Sequence, residues 1–158
     1  LQLFLRPEFP RAERDPIRAL DQLLEKYPQA ASMLALAGSL AMAAEQWDRG
    51  VSLAREAARL GVDDELLLDL TGRMGRHGLH REVVDLIDLA GGWESFRGRH
   101  AMLRVNLAAS LHATGQGDLA RVLWQSVVDD ADAHPEVRLR ARRLLADSSG
   151  DRIEEPSR

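Results

Sequence analysis

A spacing of 33 to 37 residues recurs along the chain, and it constrains the fold more than any other feature. Leu34, Gly38, Trp47, Gly50, Ala54 and Ala57 align with Leu68, Gly72, His80, Val83, Ile87 and Ala90. They align again with Arg104, Ala108, Gly117, Ala120, Trp124 and Val127. A period of this size marks stacked supersecondary units, none of which buries its apolar face alone. Inside the units apolar residues return at helical spacing, as in Ile17, Leu20, Leu23, Leu24 and Tyr27, and no period-two run is sustained. Punctuation at Pro28, Gly61, Gly78, Gly91-Gly92, Gly115-Gln116-Gly117 and Pro135 leaves helices of about 11 to 15 residues joined by short turns. The expected fold class is all-α, with stacked antiparallel helical hairpins. Small residues recur where paired helices must approach: Gly38, Gly72 and Ala108 on the first helix, Gly50, Val83 and Ala120 on the second.

Composition narrows the function. The chain has 158 residues, the size of one domain, and no cysteine, which excludes disulfides, Cys-ligated metals and thiol nucleophiles. Its formal net charge of −4 gives no global field to hold a polyanion, so no nucleic-acid partner is expected. All basic residues but Lys26 are arginine, a bias that a GC-rich genome produces without functional pressure. The longest uncharged run, Tyr27 to Ala44, contains Pro28, Gln29, Ser32, Gly38 and Ser39 and is too short and too polar to span a bilayer. The start, Leu1-Gln2-Leu3-Phe4-Leu5, has no Met, basic stretch or Ala-x-Ala site, so it reads as a piece of a longer chain and not as an intact signal peptide. A soluble chain of the cytoplasm or the periplasm is expected.

The recurrent residues resemble the tetratricopeptide repeat family. The third unit carries the likeness best, through Leu107-Ala108, Leu111, Gly115, Ala120 and Trp124. The first matches through Gly38, Trp47 and Ala57, with Ala41 where the family prefers a large ring and Gly50 where it prefers Ala. The second has Gly75 at the large-residue position and a turn one residue short. The resemblance implies an α-solenoid, a superhelix of such hairpins, over residues 15–146. A half-repeat at 15–30, with Asp15 as N-cap and Pro16 at the first helical position, precedes repeats at 31–64, 65–98 and 101–134 and a capping helix at 135–146. Residues 1–14 are expected to be an extended N-terminal segment and 147–158 a polar tail.

The resemblance also implies a non-catalytic scaffold that binds a partner peptide or helix in a concave groove lined by the first helices. Carried over by position, the groove residues are Ser39, Met42, Asp69, Arg73, Arg76, His77, Val105 and His112. Asp69, Arg73 and His77 are spaced to share one helical face. That face reads either as a polar band that docks a carboxylate or as an exposed intrahelical pair worth about 0.3 to 0.5 kcal/mol. The carboxylate clamp that some members direct at chaperone tails is absent, since its positions hold Ala35, Ser39, Leu70, Met102 and Asn106. The incomplete first hairpin also suits packing on another copy or on further repeats. Other roles compatible with these residues are the periplasmic repeat region of a bacterial envelope or exopolysaccharide-export protein, and a regulatory module of an enzyme.

No motif argues for catalysis, a cofactor or a metal. His77 and His80 are the only close histidine pair, they straddle Gly78, and no His-Glu-x-x-His or Gly-x-Ser-x-Gly motif accompanies them. Gly72, Gly75 and Gly78 lie towards a helix end, where close packing and a C-terminal stop explain them better than a phosphate loop does. They should make that helix the weakest, at about 1 kcal/mol per internal glycine. Arg138, Arg140, Arg142 and Arg143 read as a solvated face neutralised by the acidic run at Asp129, Asp130 and Asp132, or as a contact for anionic headgroups or RNA phosphates. Trp93 and Phe96 read as local packing or as an exposed anchor.

Overall fold

Residues in the left-handed region, glycine in all cases but one, close most of the helices, and among the described residues there are only helices and turns. The computed structural model describes residues 16–96 and 100–148. It contains α1 (Pro16–Lys26), α2 (Ala31–Ala43), α3 (Trp47–Arg59), α4 (Asp64–Arg76), α5 (His80–Leu89), α6 (Ala101–Ala113), α7 (Gly117–Val128) and α8 (Pro135–Ser148), with a short 3-10 turn at Trp93–Phe96. The fold is all-α, with no strand among the described residues. The expected cap at Asp15 and the segments 1–14 and 149–158 lie outside the described residues.

The turns joining α2 to α3, α4 to α5 and α6 to α7 are built alike. One residue takes a left-handed backbone: Glu45 at φ 61°, Gly78 at 81° and Gly115 at 87°. The next N–H then reaches back to the last turn of the helix, Gln46 to Ala41 O at 2.8 Å, Leu79 to Met74 O at 2.9 Å and Gln116 to Leu111 O at 2.8 Å. This closure satisfies carbonyls that a helix end otherwise leaves unpaired. The same residue opens the next helix, since the carbonyls of Gln46, Leu79 and Gln116 accept from Gly50, Val83 and Ala120.

Contacts divide the chain into two compact units, the first ending at Arg73 and the second beginning at Met74. The division falls inside α4 between Gly72 and Gly75, the stretch where propensity makes a helix weakest. In the first unit α2 packs on α3 and on α1. Its core is made of small side chains, with Ala35, Ala37, Ala41, Ala54, Ala57 and Ala58 all buried beside Leu34, Met42 and Val51. The helices meet backbone to backbone at Gly38 and Gly50. Arg49 of α3 pairs with Asp21 of α1.

In the second unit α6 packs on α5, α7 and α8, and α7 packs on α8. Covered on several sides, α6 buries Leu103, Arg104, Val105, Leu107, Ala108, Ser110 and Leu111, which explains its nearly uniform apolar circumference. Larger side chains fill this core: Leu86, Ile87, Leu123, Val127 and Trp124, the last only 1% exposed. On α8, Ala141 is buried while Arg140, Arg142 and Arg143 are exposed. Arg138 donates to the carbonyl of Val128 at 3.3 Å, tying α8 to the end of α7.

Candidate functional site

The first unit brings Ser39, Asp69 and Arg73 together. Ser39 lies in the third turn of α2 and Asp69 in the second turn of α4, and the Ser39 hydroxyl donates to Asp69 Oδ2 across 30 residues of sequence. Arg73, one turn beyond Asp69, donates from Nε to both carboxylate oxygens, at 3.1 Å to Oδ1 and 2.9 Å to Oδ2. The pair is half-exposed, with 35% of the Arg73 side chain and 42% of that of Asp69 open to solvent. The intrahelical pair alone is worth about 0.3 to 0.5 kcal/mol. The serine changes its character, because the carboxylate is now shared between two helices and fixes the guanidinium at its Nε edge.

The other expected groove residues are placed differently. Met42 is 2% exposed and fills the space beside Gly50, where a Cβ would stand 2.5 Å from Met42 Cγ. Val105 is 0% exposed, on the helix covered by α5, α7 and α8. Neither side chain offers surface to a partner, because the position that lines a groove in the family pattern is here taken into the core. Arg76 ends α4 and is exposed. His77 is exposed in the turn that Gly78 makes, so the helical face expected to run through Asp69, Arg73 and His77 stops one residue before the histidine. His112 is exposed and its ring leans on Trp124, with centroids 5.6 Å apart and planes at 51°.

The second unit also holds an ion pair between a buried arginine and a partly exposed aspartate that no sequence motif marks. Arg104 is 3% exposed. Its Nη1 donates to the carbonyl and hydroxyl of Ser126 at 3.0 and 3.2 Å, and its Nη2 meets Asp130 Oδ2. Asp130 also accepts the N–H of Asp132 at 3.0 Å. The Arg104 hydrogen bond first, and the Asp132 N–H second, hold the Asp130 carboxyl below the usual carboxylate range. Asp130 is thus committed to α6, and Asp129 accepts from Gln125 of α7 at 2.9 Å, so two of the three acids expected to neutralise the α8 arginines have partners elsewhere. The one available signal for Arg104 was its alignment with Leu34 and Leu68, a packing position. The pair braces the hairpin of α6 and α7 and has the geometry of a structural contact.

His80 Nδ1 lies 3.3 Å from the Ser110 hydroxyl, joining α5 to α6. Among the described residues no group of three or more metal-ligating side chains gathers. No helix among them is long and apolar enough to cross a membrane. The side chains of Trp93 and Phe96 lie outside the described residues. Comparison with family models, with curated proteins and with solved structures gives no match to the chain.

Proposed function

We propose that the chain is a non-catalytic scaffold, an α-solenoid of tetratricopeptide-like hairpins, whose first-helix face at Ser39, Asp69 and Arg73 binds an extended or helical segment of a partner protein. The observation that carries this reading is the Ser39–Asp69–Arg73 cluster. It links α2 to α4 through a side-chain hydrogen bond and holds a half-exposed guanidinium beside it. The sequence recurrence and the three matching turns support it as well. Asp69 occupies the Nε edge of Arg73, so a partner's carboxylate meets the guanidinium through its Nη groups. Binding rests on preformed shape and needs no reaction. Hydrolytic turnover abolished by His77→Ala or His112→Ala would overturn the scaffold reading.

Selection from a displayed peptide library tests it. Peptides chosen by the wild type should share an acidic side chain or free C-terminal carboxylate at a fixed distance from apolar residues. Selection on Arg73→Ala should lose the acidic position while circular dichroism stays unchanged. Identical consensus peptides from both proteins would place binding elsewhere.

A further inference from the structure

A surface groove in the second unit lies between α7 and α8, far in sequence from the cluster proposed to bind peptides. It has a volume of about 600 Å³ and is lined by Arg121, Val122, Gln125 and Ser126 of α7, by Asp129 at the C-cap of that helix, and by Leu145 of α8. Val122 is 41% exposed, an uncovered apolar side chain on a helix whose opposite face is core. The lining residues of α7 and its C-cap fall at i, i+1, i+4, i+5 and i+8, a single two-turn ridge of the kind that packs into the groove of another helix.

The charge order along this ridge is its own complement. Arg121 and Asp129 each stand four residues from Gln125, one on either side, about 12 Å apart along the axis at 1.5 Å per residue. When two such ridges run antiparallel and cross at Gln125, each Arg121 faces the Asp129 of the other copy, and the two Gln125 amides meet at the centre. A two-fold interface demands that residue i meet j and j meet i, and this spacing provides it. The present partners of these groups are local and cheap to exchange. Arg121 pairs with Asp118, which is 93% exposed, and Asp129 accepts from Gln125 of its own helix.

We propose that the groove between α7 and α8 is a self-association face, occupied by the α7 ridge of a second copy in antiparallel two-fold packing. The proposal is independent of the peptide-binding reading, which concerns the first unit. The charge pairs of this interface lie at the surface and are screened by salt, so association is weak, reversible and salt-sensitive.

Sedimentation velocity of the full chain from about 5 to about 300 µM tests it, spanning the range of weak self-association. The wild type should pass from monomer to dimer with concentration. Arg121→Asp and Asp129→Arg, each placing like charges face to face twice, should weaken the dimer by about tenfold or more. The double variant Arg121→Asp, Asp129→Arg should restore association to within about threefold of wild type, which an unfolded or merely damaged surface would not do. A wild type monomeric throughout overturns the proposal. So do single reversals that leave the dimer intact, and a double variant that stays dissociated while its helicity matches wild type. A monomer whose groove instead binds an amphipathic helical peptide would assign the face to a different partner and equally contradict the proposal.

Discussion

A Cβ on Gly38 would stand 3.0 Å from the carbonyl oxygen of Gly50, and a Cβ on Gly50 would stand 3.0 Å from the carbonyl oxygen of Gly38. The two helices therefore touch through their backbones, and neither position has room for a methyl group without parting them. In a helix, alanine is favoured over glycine by about 1 kcal/mol. Here overpacking against a rigid carbonyl costs about 1 to 3 kcal/mol and outweighs that gain. Gly38→Ala should destabilise the protein by about 1 to 2 kcal/mol. Gly75→Ala, where nothing lies within 4 Å of the new Cβ, should stabilise it by up to about 1 kcal/mol. Urea denaturation of both variants checks the opposite signs.

Glu45 holds the left-handed conformation that glycine holds in the other two matching turns. A side chain in that region costs about 1 to 2 kcal/mol, while glycine adds about 0.5 to 1 kcal/mol of unfolded-chain entropy. Glu45→Gly should therefore raise stability by about 0.5 to 1 kcal/mol, read as a higher urea midpoint at unchanged slope.

The Arg104–Asp130 pair makes stability depend on acid. Because the folded state depresses the Asp130 pKa, its contribution is fully present above the unfolded carboxylate pKa of about 3.9 and is lost as pH falls through the folded value. Asp130→Asn should be less stable than wild type at pH 6, and the gap should narrow steadily below about pH 4. Urea midpoints at pH 6, 4 and 3 supply the comparison, and a gap independent of pH would contradict the assignment.

Trp124 is the largest side chain in the core of the second unit, and its Nε1 is buried without a hydrogen-bond partner. Trp124→Ala should cost about 3 to 5 kcal/mol through the cavity it leaves. Trp124→Phe should cost much less, since it removes an N–H that gains nothing from burial. His112 and His77 are both exposed, and alanine at either should change stability by no more than about 0.5 kcal/mol. Thermal melts of the four variants separate core from surface.

Glycines showed most of the helix boundaries in advance because φ near 80° is a demand that the sequence must meet locally, as at Gly61, Gly78 and Gly115. The turn after α2 carries no such mark. Glu45 supplies the same geometry with an ordinary side chain, and only alignment with the later units reveals it. Asp69 with Arg73 was legible because a pair four residues apart on one helix meets whatever surrounds it. Ser39 came from a positional rule, and its hydrogen bond reaches Asp69 across 30 residues of sequence, which no local pattern encodes. The same rule placed Met42 and Val105 in a groove. It failed there because Gly50 leaves a gap that Met42 fills and because α6 is covered by three other helices. Arg104 reads as a surface residue by its charge, and its burial depends on Asp130 and Ser126 lying more than 20 residues away.

The affinity of a library-selected acidic peptide for wild type and for Arg73→Ala, by calorimetric titration, tests the scaffold claim most directly. A loss of about tenfold or more in Arg73→Ala, the scale of one charge-assisted hydrogen bond, is the expected result. Circular dichroism and thermal midpoint should match those of wild type. Equal affinity in the two proteins would contradict the claim that the Ser39–Asp69–Arg73 face binds the partner.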